Sequence, residues 1–144
     1  VSGAIWGTAF MRAAAAAGDK EELAHEDVIA MLGSAIEGMK KRGQSDLGDK
    51  TLLDAFVPAA DELARVLRGG GSTLDALRRA SQVAREKTEE MKPWVAKRGR
   101  AAYTGDRSRD TYDAGSVAVA VIAEKLVEAW EQSSVNVVEK GSIR

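Results

Sequence analysis

The sequence has no cysteine, few aromatic residues (5% of the chain) and a single histidine, His25. The absence of cysteine excludes disulfide bonds and thiolate metal sites. Because His25 is the only histidine, no second histidine can complete a metal pair, and a Ser-His-Asp triad is not expected either. The shortage of aromatic residues, together with abundant alanine, favours close-packed helices over a β-sandwich.

Neither sign of charge dominates, because 21 basic and 22 acidic residues leave a formal net charge of -1. Nucleic-acid-binding domains are usually basic, so no nucleic acid partner is expected. No apolar run approaches the ~18 residues that a membrane span needs, and the first residues lack the pattern of a secretory signal. A cytoplasmic protein without membrane association is therefore predicted. The Gly-x-x-x-x-Gly-Lys-Ser/Thr loop of Walker-type nucleotide sites is also absent.

The chain begins with Val1 rather than methionine, and the apolar pattern of a helix is already present at Ile5, Trp6 and Phe10. A natural domain rarely opens in the middle of a helix. We therefore expect residues 1–144 to form a single but incomplete domain from which an upstream portion is missing. Removal of a tag or leader is the alternative.

Apolar residues recur at helical spacing, and no segment alternates as a half-buried strand would. Ser72 is expected to cap one helix, and Pro58 to kink another. The last helix opens almost entirely apolar from Ala114 to Ala123, which predicts burial on all sides in its first half, with fraying after Trp130. Short Gly-containing breaks predict up-and-down packing of all the helices. The predicted helices span residues 4–17, 26–42, 51–68, 73–91 and about 114–131.

The segment from residue 94 to 113 has little apolar periodicity and leads into the start of the last helix. Asp113 suits the N-cap position, and Gly115 lets a ligand approach the backbone. Free amides and the helix dipole attract phosphate, and Arg100 could bind a phosphate group through two hydrogen bonds. Ordinary capping, with Arg107 and Arg109 in a solvated loop, is the alternative. A second, weaker cluster runs from Gly43 to Asp54 and contains two glycines.

Three stretches together resemble the L subunit of dihydroxyacetone kinases and the C-terminal nucleotide domain of the single-chain kinases. Residues 97–108 (KRGRAAYTGDRS), followed by DAG at 113–115, resemble the family's G-R-A-S-Y-L-G-E-R-S and D-P-G-A. Residues 48–55 (GDKTLLDA), with Pro58, resemble G-D-K-T-M-L-D-A…P. Residues 2–12 resemble S-G-x-x-x-G-T-x-F-x-R. The order and the spacing agree over essentially the whole chain.

This resemblance implies an all-α fold, an antiparallel up-and-down barrel of about eight helices, here without its N-terminal helices. Family members hold ADP or ATP with Mg²⁺ at one end of the barrel. The resemblance implies that Leu52 packs on adenine, while Arg100 and the turn at Asp113 lie near ribose or phosphate. The implied nucleotide contacts are Ser2, Gly3, Gly43, Leu52, Arg100, Asp113, Ala114 and Gly115.

The sequence departs from the family at several positions. Leu52, Asp106 and Ala114 stand where the family has Met, Glu and Pro. The upstream Gly-Asp-Gly-Asp motif, whose aspartates bind Mg²⁺ in the family, is absent, so the metal ligands are expected in a missing upstream segment. Because phosphoryl transfer depends on metal-assisted charge neutralisation, we predict no kinase activity from this chain alone.

The leading interpretation is the nucleotide-binding subunit or domain of a kinase that phosphorylates a small ketose such as dihydroxyacetone. The implied partners are a dihydroxyacetone-binding K subunit or domain and, in the phosphotransferase-linked route, a phosphocarrier subunit. The ATP-dependent route stays equally open. The alternative is a noncatalytic helical partner-binding module derived from the same family. RNA binding through the Arg/Tyr loop is disfavoured by the net charge.

Overall fold

The computed structural model describes residues 24–44, 46–94 and 109–142, with residues 5, 8, 11, 12, 18, 96, 105 and 107, and only the backbone of 133–142. Within these ranges the chain forms four α-helices and no β-strand. They are α1 (His25–Gly43), α2 (Leu53–Arg68), α3 (Thr73–Glu90) and α4 (Ala114–Ser142). The prediction of an all-α fold is confirmed. None of these helices is long and apolar enough to cross a membrane.

Each helix packs on the next one along the chain, and ion pairs show that neighbouring helices run antiparallel. Glu26 at the start of α1 meets Arg68 at the end of α2 at 3.0 Å. Between α3 and α4, Arg78 pairs with Glu131 at 2.8 Å, whereas Arg85, further along α3, pairs with the earlier Glu124 at 2.9 Å. The up-and-down packing predicted from the short breaks therefore holds for these four helices.

Small side chains line the helix contacts and let the helices approach closely. Ala55 and Ala84 are completely buried, as is Ala120 on α4. Ile5, Phe56, Val57 and Leu63 surround this core. The buried cluster comprises Ala35, Met39, Leu52, Leu53, Ala55, Ala59, Ala80, Ala84, Val119 and Ala120. The alanine content thus serves close packing, as the composition indicates.

Several local predictions also hold. Ser72 caps α3, since its side chain accepts a 3.0 Å hydrogen bond from the amide of Asp75. His25 lies exposed at the start of α1. Pro58 lies inside α2, and the kink stays a prediction. Of the first predicted helix, residues 5, 8, 11 and 12 are helical, and the rest of 4–17 lies outside the described residues.

Two predictions about the last helix were wrong. The helix continues to Ser142 instead of ending near Trp130, because the tail contains no proline and no glycine before Gly141. Its first half is not buried on all sides, since Ile122 is 47% exposed and Val121 is 40% exposed. Only one face of α4, which includes Val119 and Ala120, packs on α3 and α2. Leu126 and Trp130 extend the exposed apolar face further along the helix.

Candidate functional site

The loop between α1 and α2 is closed by the carboxylate of Asp54. Its Oδ1 accepts a 2.6 Å hydrogen bond from the amide of Gly48, and its Oδ2 accepts one of 2.9 Å from the amide of Thr51. Gly48 has φ +92°, a left-handed conformation that favours glycine. The hydroxyl of Thr51 in turn accepts from the amide of Leu53 at 3.3 Å. The loop is therefore fixed from inside by its own side chains.

Lys50 is buried and joins this loop to the turn that follows α3. Its Nζ donates to the carbonyl oxygen of Lys92 at 2.9 Å and to that of Trp94 at 2.7 Å. Only 2% of Lys50 is exposed. Burial lowers the pKa of the Lys50 amine, while the nearby carboxylates of Asp113 and Asp110 act in the opposite direction. An amine so deeply placed is unusual, because lysine is almost never fully buried without partners.

Asp113 caps α4, as the sequence predicts. Its Oδ2 accepts a 2.8 Å hydrogen bond from the amide of Ser116. In the described part of the chain, the amides of Ala114 and Gly115 have no acceptor. Two free amides at a helix start, strengthened by the helix dipole, form an arrangement that attracts phosphate.

The start of α4 lies directly against the loop before α2. A Cβ placed on Gly115 would stand 2.9 Å from Cβ of Leu52 and 3.2 Å from Oδ2 of Asp113, so no larger side chain fits there. Leu52 itself is 7% exposed and belongs to the core cluster. The segment around Leu52 and the segment around Gly115, far apart in sequence, thus form one continuous surface.

Ser116 links this junction to α3. Its Oγ lies 3.1 Å from the carbonyl oxygen of Thr51, 3.2 Å from Sδ of Met91 and 3.0 Å from Oδ2 of Asp113. Its carbonyl oxygen accepts a 3.2 Å hydrogen bond from the hydroxyl of Thr88. Ser116 and Thr88 are completely buried. Their hydrogen bonds are therefore shielded from water, and a low local dielectric constant strengthens them.

Gly43 ends α1 at the same end of the bundle, beside an open groove with a volume of about 450 Å³. Arg12 crosses α1 at Gly38, where an added Cβ would stand 2.8 Å from Cγ of Arg12. Gln44, next to Gly43, has φ +50°. The groove is lined by Thr8, Arg12, Gly38, Lys41, Arg42 and Gln44, which gives it a positive charge.

The segment before Asp113 is anchored by Tyr112. Its hydroxyl donates to Glu89 at 2.9 Å, and Nζ of Lys92 lies 4.7 Å from the centre of its ring. Tyr112 thus holds this segment against the end of α3 and the turn that follows it. Arg107 and Arg109, which precede Tyr112 in the chain, are exposed.

The structure therefore brings together part of the predicted site. Leu52 and Asp113 both lie against Gly115, and Ala114 beside Gly115 is exposed. Gly43 lies at the same end, at the close of α1. The predicted contacts Ser2, Gly3 and Arg100 lie outside the described residues.

Sequence reasoning missed the roles of three polar residues at this junction. They are Lys50 and Asp54 in the segment before α2 and at its start, and Ser116 in the first turn of α4. Asp54 carried a local signal, since it stands three residues after Thr51 and can accept from the amide of that residue. The acceptors of Lys50 lie more than 40 residues away in sequence, so no local pattern could reveal them.

The described residues do not provide a site for a divalent metal ion. No group of three or more histidine or acidic side chains converges among them. Asp49 and Asp54 lie in the loop before α2, but their carboxylates accept hydrogen bonds from loop amides. A Mg²⁺ ion bound by this part of the chain alone is therefore not supported.

A family model described as the DAK2 domain matches residues 1–128. The chain is 33% identical over 131 residues to the ADP-binding subunit DhaL of the PEP-dependent dihydroxyacetone kinase of Escherichia coli, covering 91% of this chain and 62% of that subunit. It is similar to L-erythrulose 1-kinase of Mycolicibacterium smegmatis, with 32% identity over 127 residues, covering 88% of this chain and 22% of the kinase.

A mammalian protein shows the same level of similarity. The chain is 33% identical over 130 residues to triokinase/FMN cyclase of Mus musculus, covering 90% of this chain and 22% of that protein. The chain thus spans 62% of the length of the bacterial ADP-binding subunit and a much smaller share of the two longer relatives.

Proposed function

This chain belongs to the DAK2 domain family, and from that premise we propose that it is the ADP- or ATP-binding part of a dihydroxyacetone-type kinase. The whole kinase would transfer a phosphoryl group to a small ketose such as dihydroxyacetone. Relatives of the chain are named as an ADP-binding subunit and as erythrulose kinases, which supports both the nucleotide and the ketose class.

The observation that carries this proposal is the junction of Leu52 with the start of α4. Leu52 lies in one segment and Asp113 to Gly115 in another, and the resemblance assigns both segments to the nucleotide. The free amides of Ala114 and Gly115 stand beside this junction. An apolar surface next to free helix amides suits a ligand with a flat base at one end and phosphates at the other.

Each predicted contact has a chemical role in this proposal. The amides at the start of α4 receive a phosphate oxygen, and Gly115 keeps the backbone accessible. Leu52 contributes the apolar edge that adenine covers, with its 7% exposed fraction making this contact small. Arg100 pairs with phosphate or ribose. Ser2, Gly3 and Gly43 are the remaining contacts that the resemblance implies.

Mg²⁺ normally accompanies the phosphates in phosphoryl transfer. The described residues offer no ligand set for it, so no step is assigned to the metal. We keep the prediction that this chain alone does not phosphorylate dihydroxyacetone. The proposed partners are a dihydroxyacetone-binding K subunit or domain and, in the phosphotransferase-linked route, a phosphocarrier subunit. A cytoplasmic setting is part of the proposal.

Isothermal titration with ADP tests the proposal. We expect saturable binding by the wild-type chain and at least a tenfold weaker affinity in the variant Asp113→Ala, which loses the cap that orients the start of α4. The control Asp75→Ala changes an exposed aspartate in the first turn of α3, far from this junction in the sequence, and should bind as wild type does. Equal affinities in all three proteins would refute the assigned site.

The exposed apolar face of α4 favours a second candidate function, a noncatalytic module that binds a partner protein. Ile122, Leu126 and Trp130 are all close to half exposed. An apolar surface of this kind often marks an interaction site. ADP binding distinguishes the two candidates, because a noncatalytic module does not require a nucleotide.

A further inference from the structure

Lys50 connects two parts of the proposed nucleotide site that the sequence keeps apart. Its ammonium group donates to the carbonyl oxygens of Lys92 and Trp94, in the turn after α3. Lys50 itself lies in the loop that Asp54 closes, two residues before Leu52. One side chain therefore fixes the position of the turn relative to the loop.

The two hydrogen bonds of Lys50 require a long side chain that ends in a donor. Lys50 adopts φ +57°, a left-handed conformation that is uncommon for a residue with a side chain. It is the largest fully buried side chain in the described part of the chain. Placing a charge inside a protein is costly unless hydrogen bonds and opposite charges compensate, and here the two carbonyls and the nearby Asp113 do so.

The contact also bears on the start of α4. Asp113, whose carboxylate acts to raise the pKa of Lys50, caps α4, and its Oδ2 stands 3.2 Å from a Cβ built on Gly115. Lys92, whose carbonyl Lys50 holds, places its own ammonium over the ring of Tyr112. Lys50 thus contacts the turn after α3 directly and interacts with the start of α4 through the charge of Asp113.

We propose that Lys50 is a positioning residue for nucleotide binding, because its ammonium group holds the turn after α3 and the start of α4 in register with the loop that carries Leu52. It does not touch the nucleotide, since its side chain is buried. This inference rests on the proposed function. A merely structural role would lower the stability of the fold and leave the affinity of the folded protein for ADP unchanged.

The variants Lys50→Met and Lys50→Arg test this role. Met has a similar length but no donor, so the part-buried carbonyls of Lys92 and Trp94 lose their hydrogen bonds from Lys50, whereas Arg restores both charge and donors. The matched control is Lys125→Met on α4, where an exposed lysine pairs with Glu128 at 3.2 Å. Affinity for ADP is measured by isothermal titration at a temperature where far-UV circular dichroism shows each variant to be fully folded.

We expect Lys50→Met to bind ADP about tenfold or more weakly, Lys50→Arg to recover part of this loss, and Lys125→Met to match wild type. A folded Lys50→Met protein with wild-type affinity overturns the positioning role but leaves the proposed function intact. Failure of the wild-type chain itself to bind ADP is a different result, which refutes the proposed function.

Hydrogen exchange of the wild-type chain covers the case in which Lys50→Met does not fold. If Lys50 couples the two segments, saturating ADP must slow amide exchange both in residues 48–54 and at Lys92 and Trp94. Slower exchange in only one of these segments contradicts the coupling. The amides of Lys92 and Trp94 are suitable probes, because both form backbone hydrogen bonds, to Glu89 and Met91.

Discussion

Gly115 lies so close to Leu52 that a Cβ on Gly115 would stand 2.9 Å from Cβ of Leu52. Real Cβ atoms are essentially never found at that separation, so the contact requires glycine at position 115. The second neighbour of that Cβ, Oδ2 of Asp113, is held in place by the amide of Ser116. The start of α4 and the loop before α2 can therefore meet only because one of them lacks a side chain.

Replacing Gly115 with alanine should lower the free energy of unfolding by about 1–3 kcal/mol, because neither Leu52 nor Asp113 can move away cheaply. Gly33→Ala provides the control. Gly33 is an exposed helix residue with nothing within 4 Å of its Cβ position, so alanine should stabilise the chain by about 0.5–1 kcal/mol. Urea denaturation measures both. Equal effects of the two substitutions would contradict the close contact.

Asp54→Ala should destabilise the chain by about 1–3 kcal/mol, because the amides of Gly48 and Thr51 lose their shared acceptor. Asp54→Asn retains one carbonyl oxygen and should lose less. Asp61→Ala, an exposed aspartate on the same helix, serves as the control and should change stability little. Thermal or urea unfolding ranks the stabilities of the three variants. An Asp54→Ala protein as stable as Asp61→Ala would show that the Asp54 carboxylate does not hold the loop.

Alanine substitutions at Leu53 and Leu126 compare the stability contributed by a buried and by an exposed apolar side chain. Leu53 is 1% exposed, so Leu53→Ala should cost about 2–5 kcal/mol. Leu126 is 52% exposed, and Leu126→Ala should cost less than about 1 kcal/mol. The comparison uses chemical denaturation at low protein concentration. A large loss for Leu126→Ala would mean that this face of α4 is covered in solution.

Glu62 should make the fold sensitive to acid. Hydrogen bonds from Arg65, and then from Arg79, lower the pKa of Glu62 from 4.5 to about 2. A carboxyl group with a lowered pKa stabilises the folded state above pH 4.5, and this contribution is lost as the pH falls towards about 2. The stability of wild type should therefore exceed that of Glu62→Gln at neutral pH, with the gap narrowing below pH 4.5.

Urea titrations at several pH values measure that gap. Glu128→Gln is the control, since Glu128 is an exposed residue of α4 that pairs with the exposed Lys125. A gap between wild type and Glu62→Gln that stays constant from neutral pH to pH 2 would show that Glu62 is not held by its two arginines.

Much of the fold could be predicted because its signals are local. Ser72 accepts a hydrogen bond from the amide of Asp75, three residues further along the chain. Asp113 accepts one from the amide of Ser116 at the same spacing. The apolar spacing predicted the bounds of α1 to α3 within about two residues. These features depend only on helical periodicity and capping, which a short stretch of sequence specifies.

The remaining features depend on contacts between distant segments. An apolar stretch from Ala114 to Ala123 suggests complete burial, yet Ile122 is exposed because only α3 and α2 pack on α4 in the described chain. The burial of Lys50 likewise depends on carbonyls contributed by the turn after α3. The family motifs pointed to Leu52 and Gly115, but their direct contact emerged only from the structure.

Thermal denaturation of this chain in Mg²⁺ buffer, with and without saturating ADP, tests the nucleotide-binding proposal most directly. A ligand present at about 100 times its dissociation constant adds about 2.7 kcal/mol of stability, which shifts the melting temperature by several degrees. We predict a cooperative transition that ADP moves to higher temperature. A cooperative transition at the same temperature with and without ADP would contradict the proposed nucleotide site.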